Sequence, residues 1–176
     1  MLSEIKKISS LLLSVAFSSI GFIASITVTV LAAREVSSNP LFVGFPNAVG
    51  VGGAVLGTRM IYLISKNNSQ LNALAFTFLI GAFGGAIMFY SLIVDSFVLL
   101  LFGAFILGIG QSATLQTRYA ASFVASEKFK ATALSLAVWF SVFGSVFGPR
   151  MVGSYSNFFE NIFNSELIVG YVIALV

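Results

Sequence analysis

The chain is 176 residues long, 58% apolar and only 9% charged, with a net charge of +3 and neither Cys nor His. A soluble domain carries about a quarter charged residues, so a chain this poor in charge cannot solvate its own surface in water and its expected solvent is lipid. The missing thiols and imidazoles exclude disulfides, cysteine nucleophiles, most zinc chemistry and histidine acid–base work, and the basic residues are scattered between apolar runs rather than gathered in a patch that would hold nucleic acid.

Crossing a bilayer takes about 20 apolar residues, and the charged residues divide the chain into runs of that order. Residues 8–33, between Lys7 and Arg34, form the first predicted span. This run is too long for a signal-peptide core and no small-residue cleavage site follows it, so it reads as a retained helix. Residues 41–63, after Pro40, form the second span, with Arg59 near its far end, and residues 71–94, closed by Asp95, form the third. Residues 96–118 form the fourth, ending at Arg118. Residues 131–153 form the fifth, behind the polar turn Ser126-Glu127-Lys128-Phe129-Lys130. The Asn-rich stretch 154–165 is expected to be the longest loop. Residues 167–176 open a sixth apolar run that supplies roughly 15 Å of a ~30 Å hydrocarbon core. The expectation is therefore a fragment or truncated reading frame whose sixth helix is cut short.

The apolar runs do not alternate and are too long for barrel strands. The predicted fold is an all-α membrane protein: one helical bundle over residues 1–176, with five complete transmembrane helices and part of a sixth. Short connections make sequence neighbours antiparallel. Lys6, Lys7, Arg59, Lys66, Arg118, Lys128 and Lys130 then gather at one face, and only Arg34 and Arg150 at the other. The excess of Lys and Arg on cytoplasmic loops places the N-terminus in the cytoplasm, in a cell membrane such as a bacterial inner membrane.

Several features bear on function. The acids Glu4, Glu35, Asp95, Glu127, Glu160 and Glu166 all fall in predicted loops or at helix ends, so no predicted span carries an internal proton carrier. Gln111, Thr114 and Arg118 lie at i, i+3 and i+7 on one face of the fourth span. That face either lines a substrate cavity, with Arg118 as gate or anion contact, or bonds to neighbouring helices while Arg118 snorkels to the interface. Ser14, Ser18, Gly21, Ser25 and Thr29 form a small, weakly polar stripe along the first span, read as tight packing or as a cavity lining. Gly53 with Gly57, Gly81 with Gly85, and Gly144 with Gly148 are small-xxx-small pairs that favour close helix crossings. Pro149, after Gly148, removes a backbone donor and favours a bend. Gly57-Thr58-Arg59-Met60 near the end of span 2 echoes Gly148-Pro149-Arg150-Met151 near the end of span 5, the placement expected of a 3+3 inverted repeat.

These residues also carry a family resemblance. The layout resembles the N-terminal six-helix half of a major facilitator superfamily (MFS) transporter. Thr117-Arg118-Tyr119-Ala120-Ala121 is similar to a segment of bacterial members, and Gly144, Gly148, Pro149 and Gly153 resemble the glycine–proline motif of their fifth helix. The resemblance implies that this motif bends and seals the helix. The loop motif between helices 2 and 3 is degenerate: Gly57 and Lys66 remain, with Ile61 at the usual Asp position. In the fourth-helix motif Gly108 and Gly110 remain, with Ala104 and Leu107 in place of Arg and Gln.

The resemblance implies a secondary transporter working by alternating access, with helices 1 and 4 lining the path. Ser14, Ser18, Ser25, Gln111, Thr114 and Arg118 are the expected path residues. Expected partners are the bilayer, a small-molecule substrate and a second six-helix half, with no metal, cofactor or nucleic acid. The alternative is a small multi-pass protein that transports nothing and serves as an assembly partner. No constellation for intramembrane catalysis is present, so an enzyme is not expected.

Overall fold

The computed structural model describes residues 2–37, 40–67, 69–163 and 172. Five long helices account for almost all of them: α1 (Leu2–Val36), α2 (Phe45–Asn67), α3 (Gln70–Ile93), α4 (Phe97–Val124) and α5 (Lys130–Phe163). Short 3-10 turns at Pro40–Phe42 and Glu127–Phe129 lead into α2 and α5. No strand occurs among the described residues. All five helices contain a stretch long and apolar enough to cross a membrane, from the 23 residues of Phe45–Asn67 to the 29 of Ile8–Val36. The protein is a multi-pass, all-α membrane protein. The predicted sixth run, 167–176, lies outside the described residues except for Val172, which is helical.

The helices overrun their predicted bounds wherever polar sequence lacks a breaker. α4 continues past Arg118 to Val124, because neither Gly nor Pro follows Gly110 until the chain turns at the extended Ala125. Arg118 is therefore about 9 Å inside the helix end rather than at it. α5 likewise runs helically through 154–163, where a loop was expected from composition. Ser, Asn and Glu are tolerable helix residues, and no Gly or Pro lies between Gly153 and Phe163 to stop the ladder. α2 begins at Phe45 rather than at residue 41, with Pro46 in its first turn, where the missing N–H costs nothing.

Residue size is distributed in the reverse of a soluble bundle. Leu79, Phe83, Val98, Phe102 and Trp139 project outward, each more than half exposed. Ala24, Ala32, Gly53, Ala73, Gly84, Ala113 and Ala137 face neighbouring helices. Lipid solvates the large apolar groups, so it gives the helices little hydrophobic reason to associate. What remains is close van der Waals contact, which small residues permit.

Three buried clusters fix the helix directions. Val28 and Ala32 of α1 meet Met88 of α3 with Leu100 and Ala104 of α4 at one end. At the other, Ile8 and Leu12 meet Ala121 of α4, the Ala125 that follows it, and Ala133 and Ala137 of α5. Ile61 of α2 packs with Ala73 and Leu74 of α3 and with Ala113 and Ala120 of α4. These pairings make α1, α3 and α5 run one way and α2 and α4 the other. Lys66, Lys128 and Lys130 consequently share the end where α1 begins, and Arg34 lies at the opposite end.

Two helix pairs are built alike. Gly53 and Gly57 seat α2 on the α4 backbone at Phe105 and Ile109, while Gly144 and Gly148 seat α5 on the α1 backbone at Ser19, Ile20 and Ala24. Both pairs are parallel, and exchanging α1 with α4 and α2 with α5 turns one into the other. Because α1 and α4 are antiparallel, this relation is an inverted one, as in transporters built from internal repeats. The echo at Gly57-Thr58-Arg59-Met60 and Gly148-Pro149-Arg150-Met151 begins on the second glycine of each pair.

Candidate functional site: the seam between α1 and α4

α4 touches every other helix of the bundle, and three cavities lie along its seam with α1. The largest of the three, about 200 Å³, sits between Thr29 of α1, Pro46, Asn47 and Gly50 of α2, Met88 of α3 and Gly108 of α4. A second, about 130 Å³, is lined by Ser19 and Ile23 of α1, Thr114, Leu115 and Arg118 of α4 and Ser141 of α5. A third, about 50 Å³, lies against Ser18, Phe78, Gly81 and Thr114. Phe22 and Gln111 border all three and form the common wall. A site for a drug-sized ligand encloses about 300–1,000 Å³. Each cavity alone is smaller than that.

The polar face of α4 falls where this seam needs it. Gln111, Thr114 and Arg118 line the 130 Å³ cavity together, because a spacing of three and four residues keeps them on one side of the helix. Thr114 is buried, and Gln111 and Arg118 are half-buried. Among the described residues whose side chains are placed, the acids Glu35, Asp95 and Glu127 are all exposed and lie at helix ends or in turns. The charge on the cavity wall is that of Arg118.

The α1 stripe behaves differently. Ser14 is exposed and donates to Ser10 O at 2.9 Å. Ser18 borders the smallest cavity but donates to Ser14 O at 2.6 Å. Ser25 is fully buried, donates to Gly21 O at 2.9 Å and borders none of the three cavities. Thr29 borders the largest cavity and donates to Ser25 O at 2.6 Å. Each of these hydroxyls turns back onto a carbonyl of its own helix, the usual way a serine or threonine is satisfied in an apolar setting. The structure thus brings Ser18 and Thr29 to these cavities, while Ser14 is exposed and Ser25 borders none of them.

Ser19 is the residue that sequence spacing missed. It is 4% exposed, borders the 130 Å³ cavity, and its Oγ is buried with no hydrogen-bond partner among the described residues; Arg118 Nε is in the same condition. Ser19 sits one residue off the stripe, about 100° round the helix, facing α4 and α5. Gly144 holds it there, since a Cβ at 144 would strike Ser19. The legible clue was the Gly144 pair on α5, which calls for a close-packed partner.

The remaining motif residues serve packing or lie outside the seam. Gly57 lies within α2, pressed on Ile109 and Ser112 of α4, and Lys66 is exposed in the last turn of α2. Gly148 approaches Ile20 O and Ala24 N of α1. Pro149 is exposed inside α5, and a Cβ at Gly153 would meet nothing within 4 Å. Gly81 and Gly110 meet face to face between α3 and α4, and Gly84 approaches Leu107. No group of His, Cys, Asp and Glu able to hold a metal occurs among the described residues.

The chain is 30% identical over 162 residues to the uncharacterized MFS-type transporter YdeG of Bacillus subtilis strain 168, covering 92% of this chain and 38% of that protein. It is 32% identical over 157 residues to the uncharacterized MFS-type transporter YddS of the same organism, covering 89% of this chain and 36% of that protein. The chain therefore spans little more than a third of the length of these curated relatives. No family model matches the sequence, and no solved structure matches it.

Proposed function

We propose, on the premise that this chain is a relative of the MFS-type transporters across about nine-tenths of its length, that it supplies one helical bundle of a secondary transporter. The observation that carries this reading is the placement of the polar α4 face. Gln111, Thr114 and Arg118 line a cavity at the α1–α4 seam instead of being spent on contacts between helices. Polar side chains inside a membrane bundle mark substrate or ion paths, and helices related by an inverted repeat place such paths near the bilayer midplane.

In this reading the solute lies against α1 and α4, with Phe22 and Gln111 as the wall shared by successive cavities. A second bundle closes the site from the other side, and rocking of the two bundles exposes it alternately to each face of the membrane. The N-terminus is cytoplasmic, and the membrane is the cell membrane. Coupling by a carboxylate buried in this bundle is not part of the proposal, because the placed acids sit at helix ends and in turns.

The test is a solute profile. Cells producing the chain with its companion bundle are compared by mass spectrometry with cells producing an Arg118→Gln variant at equal membrane level. The proposal expects at least one small solute to change its distribution across the membrane with the parent chain and to revert with the variant. Identical profiles would contradict transport and favour an assembly partner.

A further inference from the structure

The 130 Å³ cavity is lined by two residues with a buried polar atom that has no hydrogen-bond partner among the described residues, Ser19 Oγ and Arg118 Nε. Both departures are informative. The stripe hydroxyls on α1 whose bonds are described turn back onto their own helix, so Ser19, at 4% exposure, forgoes a bond that α1 routinely provides. A guanidinium is a planar set of N–H donors with no acceptor, and a buried donor without a partner costs most of its desolvation energy. Among the described side chains no carboxylate lies beside Arg118: Glu35, Asp95 and Glu127 are exposed at the ends of the bundle.

From this geometry we propose that the cavity between α1, α4 and α5 binds the anionic head of a small solute, a carboxylate or phosphate group. Arg118 supplies the charge. Ser19, Thr114 and the Gln111 amide supply neutral donors around it. Ser141 completes the wall, its own hydroxyl proton committed to Val138 O at 2.7 Å. A volume of about 130 Å³ accepts one such group and leaves the rest of the solute to extend past the half-exposed Leu115 or toward the Phe22–Gln111 wall. Gly144 is a positioning residue: it lets α5 sit directly on Ser19 and so sets the depth of the cavity. This assignment rests on the transport reading only in calling the ligand a solute. Failure of anion binding would leave transport standing, and failure of transport would leave the binding standing.

The experiment follows the Arg118 Nε–H resonance in arginine-labelled chain held in phosphatidylcholine nanodiscs, assigned by its loss in Arg118→Lys. Sodium acetate and inorganic phosphate are titrated separately at constant ionic strength. The expected result is saturable movement of the Arg118 resonance with at least one of the two, while the exposed Arg59 moves little. Ser19→Ala and Thr114→Val, each checked for unchanged helicity, should weaken that response about tenfold to a hundredfold, the range for losing one hydrogen bond to an ion. The proposal is overturned if the Arg118 resonance shows no saturable response or responds no more than Arg59. It is equally overturned if the response appears only when anionic phosphatidylglycerol is built into the disc, which would make the ligand a lipid headgroup.

Discussion

A methyl group added at residue 144 and one added at residue 153 pose opposite problems, although both glycines belong to one motif on α5. At 144 the new carbon would strike Ser19 and the α1 backbone beside it, which cannot yield without moving the helix. At 153 it would meet nothing within 4 Å. Gly144→Ala should therefore destabilise the bundle by about 1–3 kcal/mol, the usual cost of overpacking, and Gly153→Ala should change stability by less than about 0.5 kcal/mol. Unfolding followed through the fluorescence of Trp139, the one tryptophan of the chain, measures both. Equal losses would contradict the packing described. Serines divide in the same way. Ser25 spends its hydroxyl on Gly21 O, so Ser25→Ala should cost less than about 1 kcal/mol and leave the Arg118 resonance in place.

At the scale of the elements, glycine pairs replace the hydrophobic effect as the organiser of the bundle. Gly81 and Gly110 oppose each other, so a side chain on either opens the same α3–α4 contact. Gly81→Ala and Gly110→Ala should each destabilise the protein, and the double variant should cost clearly less than the two combined, because the second methyl enters a gap already opened. Strict additivity in the same unfolding measurement would show that the two glycines do not share one contact. Much of this layer was legible in the sequence. Uncharged apolar runs place the helices, and the Gly53–Gly57 and Gly144–Gly148 spacings pick out the glycines of the α2–α4 and α5–α1 crossings. Two things were not legible. The helices run on past the predicted spans at Arg118 and at 153, because hydropathy reports where lipid could be, whereas the backbone ladder continues until something breaks it. Ser19 was missed because spacing identifies a helix row but not the direction of a hydroxyl or the neighbour it faces. The same spacing marked Ser25, which turned out to bond to its own helix.

At the scale of the whole molecule, the alternation of helix directions gathers Lys66, Lys128 and Lys130 at the end where α1 begins. If Lys and Arg are retained on the cytoplasmic side, a cysteine at exposed Ser69 should resist membrane-impermeant thiol reagents in intact cells, while one at exposed Glu35 should react. The reverse pattern would invert the proposed orientation. The parent chain has no cysteine, so the background is silent.

The same Cys-free background allows the most direct test of the central claim, that the α1–α4 seam is a solute path while the outer faces meet lipid. Single cysteines replace Gln111 and Thr114 on the seam, and Leu79 and Phe83 on the outer face of α3, where these two are 70% and 65% exposed. Reaction with a water-soluble thiol reagent is then timed in membranes. A solute path predicts that cysteines at 111 and 114 react readily and that those at 79 and 83, bathed in hydrocarbon, do not. Fast reaction at 79 and 83 with none at 111 and 114 would contradict it, because the seam would then be dry packing and the outer face would be open to water.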